Sequence, residues 1–235
     1  MIIMGRTSLY EFLERLTRDR NIEIEFINLV EYKERDKVNS LIESCIERGI
    51  MEKIGNNIKL VDAVEFLTYL PLYGIDPSRL SMYIEWHEFE EFITRLLIEF
   101  GWDTYLNYRH DRVERFQIDI IALNHSINLS LFIECKHWKR MSSFYTNLED
   151  IIDNHIKRIE KYLRNCEWVC LKLSKLRHVM NILPVIVTLH DLQIKVFKGV
   201  PIVSLYKFRD FILDIDRYID FLNLKIYTNR CYSGR

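Results

Sequence analysis

Residues 117–138, QIDIIALNHSINLSLFIECKHW, decide the fold. They read as two β-strands joined by a polar turn. The first, over residues 118–123, is an apolar run interrupted by one acid, Asp119. The second, over residues 129–133, leads into Glu134-Cys135-Lys136. Successive side chains on a strand point to opposite faces, so Glu134 and Lys136 share a face and the Cys135 thiol points the other way. Charged groups at the ends of buried strands are unfavourable unless they pair or hold a metal. With the two strands paired as a hairpin, Asp119, Glu134 and Lys136 meet at one spot.

Working outward, residues 86–100 (WHEFEEFITRLLIEF) form an amphipathic helix with Phe89, Phe92, Ile93, Leu96, Leu97 and Phe100 as its stripe, ended by Gly101. Glu90 falls beside that stripe; it is read either as a site acid, with Glu91 as the fallback, or as a solvated glutamate. Residues 102–108 read as the first strand of a sheet, and residues 109–115 (RHDRVER) as a polar turn. Arg109 and Arg115 there either track phosphates or are simply solvated. Gln117, two residues before Asp119, shares its face and is placed to orient water or a ligand. A helix is expected over residues 148–163. Lys157, Arg158, Lys161 and Arg164 give its far half a basic face, which faces nucleic acid or only water. His155 is read as structural. Residues 183–189 (LPVIVTL) are continuously apolar, as a strand buried on both faces should be. Short strands are expected over residues 193–197 and 202–205, around Lys198-Gly199, and one helix over residues 206–222.

Toward the N-terminus, residues 7–18 form a helix capped by Thr7 or Ser8. A short helix is expected around residues 23–30, and a third over residues 36–48, stopped by Gly49. Then MEKIGNNIKLV reads as a hairpin. Three helices and a hairpin suggest a winged helix over residues 1–62, with the third helix as recognition element and Lys53 to Lys59 as wing. Its acids and bases are about balanced, so DNA contact and protein contact both stay open. Residues 63–84 read as a helical linker, with Asp76-Pro77 starting a short helix. Residues 85–225 are the second domain, and residues 226–235 a tail.

The chain has 235 residues, 49% of them hydrophobic, and a formal net charge of −1. That composition supports a large core and excludes disorder as the default. No apolar run approaches the ~20 residues of a membrane span, so no membrane association is expected. The opening MIIMGRTSLYEF has no signal-peptide pattern, and the protein is expected to be cytoplasmic. Its five cysteines are scattered, with Cys166 and Cys170 as the only close pair. Reduced, mostly buried thiols are the expectation.

Asp119…Glu134-x-Lys136 resembles the core motif of the PD-(D/E)xK nuclease superfamily, and IDIIA followed by ECKHW resembles Mrr-type restriction endonucleases and their archaeal relatives. The resemblance runs from Trp86 to about Phe211. It implies an α/β restriction-endonuclease-like core, a mixed central sheet flanked by helices, preceded by the small winged helix-turn-helix domain. It implies a metal-dependent DNA endonuclease with Asp119 and Glu134 as ligands of Mg²⁺ or Mn²⁺, completed by the Cys135 carbonyl. Lys136 would hold or deprotonate the attacking water, and Glu90, in the Phe89-Glu90 pair, would serve a second metal or the water network. Gln117, Arg109, Arg115 and Lys157 would bind DNA, and cutting both strands implies a homodimer. The chain departs from the Mrr pattern at Phe116-Gln117, where that group usually has glycines. A junction resolvase, or a non-catalytic DNA-binding regulator on the same scaffold, are the alternatives.

Overall fold

Ser8 opens the first helix with a reciprocal cap. Its Oγ accepts from the Glu11 N–H at 3.3 Å, and Glu11 Oε2 accepts from the Ser8 N–H at 2.8 Å. The computed structural model describes residues 7–137 and 141–234, excepting the side chains of 141–144. Trp138, Met1 to Arg6 and Arg235 of the sequence reading lie outside the described residues. The chain divides into two compact units, Met1–Glu88 and Phe89–Arg235.

In the first unit, α1 (Leu9–Asp19) buries Leu9, Phe12, Leu13 and Leu16. A short strand β1 (Asn21–Glu23) and a 3-10 segment (Ile24–Leu29) stand where a second helix was expected. Then α2 (Tyr32–Glu47) starts a turn earlier than its apolar stripe predicts. Polar side chains hold that extra turn: the Leu9 N–H donates to Glu34 Oε2 at 3.1 Å, and Arg35 Nε to the Val30 carbonyl at 2.9 Å. The hairpin β2 (Met51–Ile54) and β3 (Asn57–Leu60) turns through Gly55-Asn56, with Gly55 at φ +60°. β1 pairs with β3, giving the order β1-β3-β2. Asp62 caps α3 (Ala63–Tyr69), and three 3-10 turns carry the chain to Tyr83.

The second unit takes up most of α4 (Trp86–Glu99), whose Phe89, Glu90, Ile93 and Leu97 are buried. Strands β4 (Asp103–His110), β5 (Phe116–Asn124) and β6 (Leu129–Lys136) follow as an antiparallel meander. A parallel partner for β6 requires a long crossover. That crossover is α5 (Met141–Lys172), which leads into β7 (Asn181–Thr188), parallel to β6. α5 runs past the expected end because its inward stripe continues through Tyr162, Cys166 and Val169. Its inner side packs on the sheet: Tyr162 meets Phe132 edge-on at 4.9 Å, and Ile152 joins the cluster of Ile186 and Ile202.

β8 (Val196–Phe197) and β9 (Val200–Ser204) turn through Lys198-Gly199, both at positive φ. The expected single helix is two, α6 (Leu205–Leu213) and α7 (Ile215–Phe221). Asp214, at φ −112° and ψ 28°, breaks the helix so that Ile215 as well as Ile212 turns inward. The sheet order is β4-β5-β6-β7-β9-β8. The tail adds β10 (Tyr227–Thr228), antiparallel to β7.

The expectation for the cysteines is also corrected. Cys166 is bonded to Cys231, with Cα atoms 5.9 Å apart and a sequence separation of 65. The pairing ties α5 to the tail and involves a cysteine that close spacing would never have matched. Cys45, Cys135 and Cys170 are free and buried. Among the described residues, no helix is long and apolar enough to cross a membrane.

Candidate active site

The β5–β6 ladder runs from Asn124↔Leu129 to Ile120↔Ile133 and stops there. One more step in that register sets Asp119 opposite Glu134. Instead of a ladder pair, the Cys135 N–H donates to Asp119 Oδ2 at 2.9 Å. On the other side of β5, the β4 pairing omits Asn107, the residue opposite Asp119, and resumes unshifted at Tyr108↔Ile118. Asn107 is left-handed, at φ 52°. Both neighbouring strands therefore part from β5 at Asp119. β6 stays fixed from its far side, because its pairing with β7 continues to Lys136↔Thr188.

Three acids gather around this opening. Glu90, 2% exposed, accepts from Asn107 Nδ2 at 2.8 Å. Asn107 Oδ1 accepts from Gln117 Nε2 at 3.3 Å, and Gln117 Oε1 accepts from Arg109 Nη2 at 3.2 Å. The two amides thus connect α4 to the strands. Glu91 is exposed, so Glu90 is the acid the fold turns inward. Burial, then the charge of Glu134, pushes the Asp119 carboxyl up to about 7; Glu90 adds to this, while the Cys135 N–H and Lys136 oppose it. Burial, followed by the charges of Asp119, Glu90 and Glu134, raises the Cys135 thiol well above its ordinary range. The thiol is a buried, inert group.

Glu134 is 3% exposed and held on both oxygens. Lys136 Nζ lies 2.6 Å from Oε1, and Arg158 Nη1 from α5 donates to Oε2. His155 Nδ1 is 3.8 Å from the same Oε2. His155 is fully buried, and burial lowers its pKa to about 4, so it is neutral. Its Nε2 lies 2.9 Å from the Phe132 carbonyl, which can only accept, so Nε2 carries the proton. Nδ1 is then a bare lone pair with no hydrogen-bond partner. His155 fixes α5 to β6 as a structural residue.

The expected residues divide into two groups. Glu90, Gln117, Asp119, Glu134, Cys135 and Lys136 come together, with Arg109 at the rim. Arg115 is exposed, and its carbonyl accepts from Lys161 at 3.1 Å. Lys157 is exposed, while Arg164 pairs with Glu114 at 2.9 Å. The basic face of α5 is thus broken up among separate partners. Cys135 engages Asp119 through its amide. Two participants were missed, Asn107 and Arg158. Arg158 lies three residues beyond buried His155, on the flank of the inward stripe, and that spacing was the available signal.

Carboxylate oxygens are the donors a hard cation such as Mg²⁺ or Mn²⁺ takes. The donor chemistry of Asp119, Glu134 and Glu90 fits such an ion. Among the described residues, no three His, Cys, Asp or Glu side chains are set to ligate a metal. The obstacle is specific, since both oxygens of Glu134 are already taken by side-chain cations.

No protein-family model and no curated protein matches the chain. Among solved structures it is similar to protein VC1899 from Vibrio cholerae, with a TM-score of 0.36 and 12% identity over 90% of this chain and 50% of that one. The chain spans half the length of that structure, and a likeness of this degree adds nothing to the functional argument.

Proposed function

We propose that the chain is a divalent-metal-dependent deoxyribonuclease of the PD-(D/E)xK kind. The observation that carries the reading is the Asp119–Cys135 hydrogen bond at the end of the β5–β6 ladder. It sets Asp119 against the strand that bears Glu134 and Lys136. Asp119 and Glu134 would hold Mg²⁺ or Mn²⁺, and the Cys135 carbonyl would complete the ligand set. The ion would supply charge neutralisation at the phosphate and an activated water. Lys136 holds the water or the phosphate oxygen by hydrogen bonding. Glu90, through Asn107 and Gln117, keeps the opening polar and orients water. Arg109, Arg115 and Lys157 offer exposed cations to the DNA backbone. The first unit, with its helix and β2–β3 hairpin, serves as a winged helix contacting DNA or a partner. Cleavage of both strands calls for a homodimer, and the setting is cytoplasmic.

A second reading is a non-catalytic DNA-binding protein on the same scaffold. What favours it is the closed state of Glu134, held by Lys136 and Arg158. Calorimetry with Mn²⁺ separates the two. A saturable site lost in Asp119→Asn supports the nuclease, and no site in the parent chain supports the scaffold. A panel of duplex, single-stranded, methylated and branched DNA with Mg²⁺ and Mn²⁺ then distinguishes restriction-type from junction-type substrates.

A further inference from the structure

We propose that Arg158 is a built-in counter-cation: it holds Glu134 while the site is metal-free, releases it to an incoming divalent cation, and then takes a phosphate of the bound DNA. The proposal rests on the nuclease reading above and adds a positioning residue to it.

The geometry separates the two cations on Glu134. Lys136 belongs to β6, whose ladder with β7 continues to Lys136 itself. Its side chain is 19% exposed and it takes Oε1. Arg158 reaches in from α5, its side chain is 34% exposed, and it takes Oε2. The arginine therefore reaches a buried carboxylate while about a third of its side chain stays exposed, which leaves it a way out. Lys136 alone leaves Oε2 open.

Charge favours the exchange. A divalent ion between Asp119 and Glu134 would sit within a few ångströms of two side-chain cations. Like charges at that range oppose each other strongly where water is scarce. Withdrawing the more exposed Arg158 relieves that repulsion and frees a ligand oxygen in one movement. The released guanidinium is a rigid fork of donors that matches two oxygens of a phosphate. Exposed Lys157 is its neighbour on the helix, so the swing leads toward further positive charge that DNA would neutralise. Arg164 and Lys161 on the same face bind Glu114 and the Arg115 carbonyl.

The test is calorimetry of Mn²⁺ binding to the full chain without DNA, together with DNA binding by fluorescence anisotropy in Ca²⁺. Arg158→Met is expected to bind Mn²⁺ about tenfold tighter than the parent, since one competing charge is gone. Its DNA affinity is expected to fall about tenfold through the lost phosphate contact. Arg158→Lys keeps the charge without the fork, so its Mn²⁺ affinity should match the parent while DNA affinity still falls. Should Arg158→Met fail to fold by circular dichroism, Arg158→Lys alone decides, and DNA affinity equal to the parent's overturns the proposal. Unchanged or weaker Mn²⁺ binding in a folded Arg158→Met also overturns it. Absence of any Mn²⁺ site in both parent and Arg158→Met overturns the nuclease reading instead.

Discussion

Asp119 Oδ2 accepts the Cys135 N–H at 2.9 Å where the β5–β6 backbone pairing ends. A side chain thus satisfies an amide that the ladder abandons, and a carboxylate is brought inside the sheet to do so. That places an acid among acids, which makes its titration a reporter of the site.

The first prediction concerns pH. Asp119 titrates near 7 in the fold against an ordinary 3.8. A folded pKa above the unfolded one means the folded chain binds the proton more tightly. The resulting stability is fully present below about 3.8 and is lost as pH rises through about 7. The ceiling is on the order of 4 kcal/mol. His155 acts in the opposite sense: its folded pKa of about 4 lies below 6.5, so its share is present above 6.5 and lost as pH falls through 4. The comparison with Asp119→Asn isolates the first effect, because the amide oxygen still accepts the Cys135 N–H. Between pH 5 and pH 8 the metal-free parent should lose more stability in urea than Asp119→Asn, by a few kcal/mol. Identical pH slopes would contradict the burial of a coupled acid.

The second concerns the disulfide. Cys166–Cys231 joins positions separated by 65 in sequence and fastens the tail that carries β10. Chain entropy assigns such a cross-link roughly 4 kcal/mol as an upper value. Cys231→Ser should lower the melting temperature of the parent in non-reducing buffer and abolish the shift that dithiothreitol produces. A parent whose melting is indifferent to reductant would show that the bond contributes nothing.

The third concerns Asn107. Its left-handed backbone at φ 52° tolerates glycine and opposes a β-branched residue. Asn107→Gly should fold with stability within about 1 kcal/mol of the parent yet lose the Glu90–Asn107–Gln117 chain. Asn107→Val should lose about 2 kcal/mol or more from strain. Thermal melts of both variants check this, and equal melting temperatures would mean the backbone there is not constrained.

Much of this was legible from residue pattern. The hairpin was visible because apolar runs of strand length flank a polar turn, and the acid in its first strand and the Glu-x-Lys after its second marked the candidate site. Glu90 was visible as a polar residue on the border of a helical stripe. The remainder depends on contacts that local pattern does not encode. A charged residue on a helix flank looks the same whether it is solvated or, like Arg158, turned onto a buried carboxylate. Cys166 and Cys231 meet through the placement of α5 and of the tail that pairs with β7, which local sequence does not encode. The 3-10 segment Ile24–Leu29 and the break at Asp214 come from tertiary packing overriding helix periodicity.

The most direct test of the central claim is cleavage of supercoiled plasmid DNA by the purified chain and by Lys136→Ala, each with Mg²⁺ or Mn²⁺ and with EDTA. Lys136 is partly exposed and Glu134 keeps Arg158, so the variant should fold. The parent is expected to nick the plasmid, EDTA to abolish the nicking, and Lys136→Ala to reduce it by at least about a hundredfold. Full activity in Lys136→Ala, with its fold intact, would contradict the assignment of the site.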